Sequence, residues 1–399
     1  FCGEHSEGAN KKCGLNLCCS YYGYCGTSEP FCRNKDEDGN STPCQKDFGR
    51  CDVAPNPSCG NNSNTATAGR RVAYYQAWNT RQFACDTVAP RQIDTTGLTH
   101  LILAYASIDP KSFKIVPQKA EDVSIYHEFT ALQNDHLQTW VAVGGWDFSG
   151  DGPTNETWSQ MARDKDRRAA FVQSAVKFME DHKFQGLDID WYWPVVRGGI
   201  KEDTQNEIKL FVDLRKAFGT RYGLSASLSS DYDNLKETDP KALEPQVDFF
   251  NARNLDYNGH WDLTGGVKPH TDLKLTEQFL RPLWFNKIDP KKINLGLTYY
   301  GRGYTLKDPA CNWFGCEAIG GSKPGKCTNY EGYLSNCEIQ KIIQEKHLKP
   351  QLIIGGAASM QVSWDDQWIG YDDSESLRVK SAFANDFCLG GLVIWAIDY

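Results

Sequence analysis

Phe184-Gln185-Gly186-Leu187-Asp188-Ile189-Asp190-Trp191-Tyr192-Trp193-Pro194 sets two carboxylates into an otherwise apolar and aromatic stretch. Side chains alternate along a strand, so residues 188, 190 and 192 project to one side. In a closed barrel that side is the interior, and the last of the three lies near the open carboxyl end, where chemistry occurs. Acidic residues inside a barrel are costly unless they share a proton or serve a site. A purely structural carboxylate pair is the plainer alternative.

Working outward from this strand, seven further apolar runs read as buried parallel strands: residues 71–78 (RVAYYQAW), 99–109, 139–146, 223–229, 247–254, 293–301 and 389–397. Helical stretches lie between several of them, such as 167–182 (RRAAFVQSAVKFMEDH) and 206–218. Eight strands interleaved with helices predict an α/β fold, a (β/α)8 TIM barrel, over residues 70–399. A doubly wound open sheet is the alternative, but no Gly-rich phosphate loop follows the first strand. A cysteine-bearing stretch at about 305–365 is too long for a simple loop. It is expected to form an inserted α+β subdomain lining one side of the active face. The last residue, Tyr399, comes straight after the eighth strand, so a final helix and a continuation are expected beyond it.

The 399 residues carry a net charge of -8 and no Lys/Arg run, which disfavours a nucleic-acid partner held by phosphate contacts. No stretch of about 18 apolar residues exists to span a membrane. The sequence opens on Phe1 rather than Met, as it would after loss of a targeting segment. Of 15 cysteines, nine fall between Cys2 and Cys59. That density predicts a small disulfide-stapled module over residues 1–59 and an oxidising, extracellular location. The odd count leaves one thiol unpaired or bonded outside the chain. Sequons at Asn40, Asn61 and Asn155 agree with a secreted glycoprotein. Residues 60–69, small and polar, read as a flexible linker. The cysteines lack zinc-ligand spacing with the eight histidines, so neither a metal nor a cofactor is expected.

Within the module, Cys18-Cys19-Ser20-Tyr21-Tyr22-Gly23-Tyr24-Cys25 runs on to Phe31-Cys32. Rings on a scaffold too small to bury them face solvent, where flat rings stack on pyranose faces and a hydroxyl can bond an acetamido group. Packing of the rings on the disulfides is the plainer alternative. The pattern resembles the hevein-type chitin-binding module. The resemblance implies a sugar-binding set of Ser20, Tyr22, Tyr24 and Phe31, with phenylalanine where the family usually has tyrosine. It also implies the bridges Cys2–Cys19, Cys13–Cys25 and Cys18–Cys32.

The barrel strand quoted first resembles the D-G-x-D-x-D-x-E signature of glycoside hydrolase family 18 chitinases. The likeness extends to Ala142-Val143-Gly144-Gly145-Trp146, to Tyr300-Gly301-Arg302 on strand seven, and to Trp395 on strand eight. Order and spacing look most like fungal chitinases that carry hevein modules, a group related to yeast killer toxin subunits. The chemistry so implied is retaining hydrolysis assisted by the substrate's own acetamide, with a glutamic acid protonating the leaving oxygen. The middle aspartates orient the acetamide and stabilise the cationic intermediate.

Carried over residue by residue, this machinery is incomplete. Asp188 and Asp190 are present, but the first aspartate is Gln185 and the proton-donating glutamate is Tyr192. The family's M-x-Y-D on strand six reads Arg253-Asn254-Leu255-Asp256, which keeps Asp256 and loses the tyrosine that holds the acetamide. General acid catalysis contributes about 10²–10⁴-fold in rate, and a phenol is a far weaker acid than a tuned carboxylic acid. Four departures, at Gln185, Tyr192, Arg253 and Leu255, point to natural loss of catalysis. The sequence therefore predicts a secreted, chitinase-like binder of chitin or GlcNAc oligomers, with Tyr74, Trp146, Arg302 and Trp395 lining a residual cleft. An active chitinase with Asp256 or Glu331 recruited as acid is one alternative. A chitin-docking subunit that carries a second toxin or effector subunit is the other.

Overall fold

A computed structural model of the chain describes residues 1–60, 62–353 and 355–399. The apolar runs form β1 (Arg70–Gln76), β2 (His100–Ile108), β3 (Gln138–Gly144), β4 (Gly186–Asp190), β5 (Gly223–Leu228), β6 (Phe249–Ala252), β7 (Ile293–Thr298) and β8 (Gly391–Trp395). They are parallel, in the order β1-β8-β7-β6-β5-β4-β3-β2, and pairing of β1 with β2 closes the ring. Burial on both faces explains why these strands read as continuous apolar runs rather than alternating ones.

Around the ring lie α1 (Asp122–Thr130), α2 (Lys165–His182), α3 (Asp203–Phe218), α4 (Tyr232–Leu235, one turn), α5 (Leu273–Phe285) and α7 (Ser374–Asp386), while α6 (Asn336–Glu345) belongs to the insertion. Asp164 caps α2 by accepting from the backbone N–H of Asp166 and Arg167. Phe171, Ala175 and Phe178 of α2 and Leu210, Phe211 and Leu214 of α3 are buried against the outer face of the strands. Inside the barrel, Trp140 stacks on Phe249 with ring centroids 5.1 Å apart. Val72, Ile102, Ala142 and Val393 complete this inner cluster. The barrel is a packed core, and its open end is the carboxyl end of the strands.

The insertion is wider than the expected 305–365. Its antiparallel sheet is built from Tyr300–Leu306, Ala318–Gly321, Tyr333–Ser335, Gln351–Leu352, Met360–Trp364 and Gln367–Tyr371, with α6 among them. Tyr300-Gly301-Arg302 thus lies on the first strand of the insertion, not on barrel strand seven. A bend at Tyr299 follows Thr298, and Tyr300 leaves the parallel ring and pairs antiparallel with Ser335.

Three disulfides, Cys2–Cys19, Cys13–Cys25 and Cys18–Cys32, hold the N-terminal module, and Cys44–Cys51 closes its tail. Cys59–Cys388, Cys85–Cys327 and Cys311–Cys316 staple the barrel and its insertion. Cys337 is the free thiol among the described residues.

The segment expected as a flexible linker is pinned down. Asn385 Oδ1 at the end of α7 accepts from the N–H groups of Ala66 (2.9 Å) and Thr67 (3.0 Å), and Ala66 is fully buried. Small polar composition lowers the cost of disorder, but it does not prevent anchoring by a distant disulfide and an amide side chain.

Of the three sequons, Asn40 is exposed and Asn61 lies outside the described residues. Asn155 is half-buried. Its Nδ2 donates to the carbonyls of Ser149 and Gly150, both at 3.1 Å, so both N–H groups brace a loop.

Candidate functional site at the carboxyl end of the barrel

A cleft of about 1070 Å³ opens at the carboxyl end of the strands, at the upper limit of the usual range for ligand pockets. Tyr74, Trp146, Arg302 and Trp395 all line it, together with Asp190, Tyr192, Arg253, Leu255 and Asp256. Its floor is aromatic: Trp395 packs 5.1 Å from Tyr74 and 5.9 Å from Tyr105, and Trp78 stacks on Tyr105 at 6.1 Å. The rim carries three exposed rings, Trp146, Trp261 and Tyr330.

Asp188 is fully buried and lies outside the cleft lining. It accepts hydrogen bonds from Ser225 Oγ (2.6 Å), Tyr74 Oη (2.7 Å) and Asn251 Nδ2 (3.4 Å). Burial, and then the nearby charge of Asp190, push its carboxyl up to about 6 against the pull of these donors. Asp190 reaches the cleft, accepts from Tyr105 Oη at 2.8 Å and pairs with the Arg253 guanidinium.

Close backbone contact makes this arrangement possible. Gly144, at the end of β3, has φ +105°, and a Cβ there would collide with the carbonyl oxygen of Asp190. At Gly145 a Cβ would meet the Tyr105 ring at 2.7 Å. The paired glycines let β3 and the Tyr105 ring close on the end of β4.

Tyr192 follows β4 and is anchored by its backbone N–H on Ser149 Oγ at 3.3 Å. The Arg253 guanidinium stacks over its ring at 3.6 Å, and Trp146 meets the ring edge-on at 5.1 Å. Burial raises its phenol to about 12, with Arg253 opposing. One guanidinium therefore neutralises Asp190 and caps Tyr192 at once.

Asp256 stands across the cleft with Arg302 Nε and Nη2 each 2.8 Å away, Tyr300 Oη at 2.8 Å and His270 Nδ1 at 3.2 Å. Burial pushes its carboxyl up, but Arg302 and these bonds outweigh that and hold it well below the usual carboxylate range. It is a fixed anion, unsuited to give a proton at neutral pH. Glu331 is exposed and outside the cleft lining, accepting from Gly321 N–H at 3.2 Å. Neither geometry suits the role of recruited acid.

On the module, Tyr22 is 59% and Tyr24 52% exposed, and neighbouring Tyr21 is 46% exposed. Phe31 is half-buried, packed against Gly26 and the disulfides. Ser20 is buried, and its Oγ accepts from Tyr24 N–H at 3.1 Å. Tyr22 and Tyr24, with Tyr21, are thus flat faces offered to solvent, and Ser20 Oγ braces the backbone of Tyr24.

Trp78, Tyr105, Ser225, Asn251 and Trp261 also belong to the site, although no motif in the sequence marks them. Trp78 and Tyr105 sit at or near the carboxyl ends of β1 and β2, and aromatics at that end of a barrel strand were the available signal. The pairing of Arg253 with Asp190 joins β6 to β4, and no spacing within one strand encodes it.

Comparison with known proteins places these features in a family. Residues 70–399 match the family described as "Glycosyl hydrolases family 18", and residues 1–51 match "Chitin recognition protein". Chitotriosidase-1 of Mus musculus is 29% identical over 361 residues, covering 83% of this chain and 73% of that protein. The oviduct-specific glycoprotein of Sus scrofa is 29% identical over 355 residues, covering 84% of this chain and 65% of the relative. Catalytic domain 2 of the Ostrinia furnacalis Group II chitinase superposes with a TM-score of 0.76 at 29% identity, over 83% of this chain and 90% of that one. These relatives are animal proteins, and they do not carry the fungal affinity that the motif order suggests. The chain belongs to glycosyl hydrolase family 18, with a chitin-recognition module joined to its barrel.

Proposed function

We infer that this chain is a secreted chitin-binding protein whose barrel holds GlcNAc oligomers without hydrolysing them. One observation carries this: at the position where the family's proton donor is expected stands Tyr192, clamped beneath Arg253. Its phenol, raised to about 12, stays protonated at neutral pH and is too weak an acid to assist departure of a sugar oxygen. Asp190 is neutralised by Arg253, and Leu255 offers no hydroxyl to hold an acetamide. Asp231, also at the cleft, is occupied as the N-cap of α4.

The means of binding sugar persist. The cleft keeps an aromatic floor and exposed rim rings suited to pyranose faces. A mutant of the Ostrinia domain, 30% identical to this chain, is known in complex with (NAG)5. The seven disulfides fit an oxidising, extracellular location. No feature of the described surface argues for the toxin-subunit alternative.

A fluorogenic chitotriose assay on the full chain tests the loss of hydrolysis. The expected result is no turnover above that of an Asp190→Ala variant. Turnover abolished by that substitution would overturn the reading.

A further inference from the structure

The N-terminal module is seated on the barrel at a defined place. Tyr232 Oη donates to the carbonyl of Gly14 at 3.2 Å, and Asn56 Nδ2 donates to Glu277 Oε1 on α5 at 3.0 Å. The Arg50 guanidinium lies 5.5 Å from the centre of the Phe285 ring, also on α5. Behind the module, Cys59 is bonded to Cys388 and its N–H donates to Asp386 O at 2.8 Å, so the connecting chain is tied down too.

The two elements that receive the module also wall the cleft. Asp231, the N-cap of α4, lines the cleft, and the next residue is Tyr232. Leu275 and Phe279 of α5 line the cleft, and Glu277 between them holds Asn56. Residues 275 and 279 share one face of a helix, and 277 lies on nearly the opposite face. The module and the cleft are therefore separated by a single helix, about 10–12 Å across. Docking leaves Tyr22 and Tyr24 free.

We propose that this docking makes the module and the cleft one composite site, in which a single β-1,4-GlcNAc polymer lies in the cleft and continues over the module's tyrosines. The proposal rests on the cleft binding sugar. A module held one helix away sees the same polymer at high effective concentration, and linking two weak sites in this way can raise avidity by about 10²–10⁴-fold when the geometry fits. A rigid seat also spares the ordering entropy that a loose tether would lose on binding.

Gly14 supplies a way to break the seat without touching either sugar-binding surface. A Cβ at Gly14 would lie 2.7 Å from Lys236 Cβ, so Gly14→Leu wedges the module away. Gly14→Ala combined with Lys236→Gly removes the opposing atom and restores the fit. Binding of soluble glycol chitin and of chitotriose is measured on the full chain, with hydrogen exchange over residues 232–236 and 273–279 reporting the seat.

The expected result is faster exchange in Gly14→Leu and polymer affinity lowered about ten-fold or more, with chitotriose affinity unchanged and both losses reversed in the compensated double variant. Unchanged exchange in Gly14→Leu would overturn the interface. Faster exchange with full polymer affinity would overturn the composite site. Failure of the underlying reading is separate: a Tyr22→Ala/Tyr24→Ala chain with no chitotriose binding would mean that the cleft holds no sugar.

Discussion

Arg253 decides what the cleft can do. Its guanidinium is held between the Asp190 carboxylate and the Tyr192 ring, both inside a largely buried site. Removing one partner of a buried pair leaves the other uncompensated, at a cost of about 3–5 kcal/mol. Arg253→Met should therefore lower unfolding free energy by about that amount at pH 7, read by urea denaturation; a loss within about 0.5 kcal/mol would show that Asp190 finds other support. Tyr192→Glu alone should not restore turnover, because Arg253 would pair with the new carboxylate and Leu255 would still leave an acetamide unheld. Turnover in that single variant would show that the acid was the sole loss.

Glu207, on α3, gives a prediction of another kind. Burial, and then Asp203, push its carboxyl up to about 8. It is neutral in the fold and ionised in the unfolded chain from about pH 4.5 upward, so its ionisation increasingly favours unfolding as pH rises from about 4.5 to about 8. Glu207→Gln should raise Tm at pH 8 relative to the parent by more than it does at pH 4. Equal shifts at both pH values would contradict this account.

At the scale of elements, legibility follows the range of the forces. The barrel strands could be read because burial on both faces writes an unbroken apolar run into each. The start of the insertion could not: Thr298, Tyr299 and Tyr300 keep the same β-like character while the chain changes sheets. The anchoring of the linker is not legible in its own residues, because its anchors, Cys388 and Asn385, lie over 300 residues away. Only the fold brings them together.

The turn after β3 yields a direct test. Gly144→Ala would force a Cβ onto the Asp190 carbonyl in a backbone region that L side chains rarely adopt, costing about 1–3 kcal/mol by thermal or urea unfolding. The loop at Asn155 yields another. Peptide mapping after secretion from a glycosylating host should find no glycan at Asn155, and a modified Asn155 would show that the loop forms without its amide bonds.

Across the whole molecule, two surfaces proposed to face sugar sit on either side of a helix, one disulfide-stapled and one set in a barrel. The first was legible as aromatics stranded on a scaffold too small to hide them. In the second, Tyr192, the residue proposed to stand in place of the acid, closely follows the motif strand. The partners that fix Tyr192 and Asp256, Arg253 just after β6 and Arg302 on the insertion, are distant in sequence and meet them only in the fold. Loss of chemistry with retention of binding is the central claim. Its most direct test is calorimetric titration of the full chain carrying Tyr22→Ala/Tyr24→Ala with chitotetraose, followed by mass analysis of the recovered sugar. A saturable binding isotherm with intact tetraose returned is the predicted result. Absence of binding heat, or recovery of shorter oligomers, would contradict it.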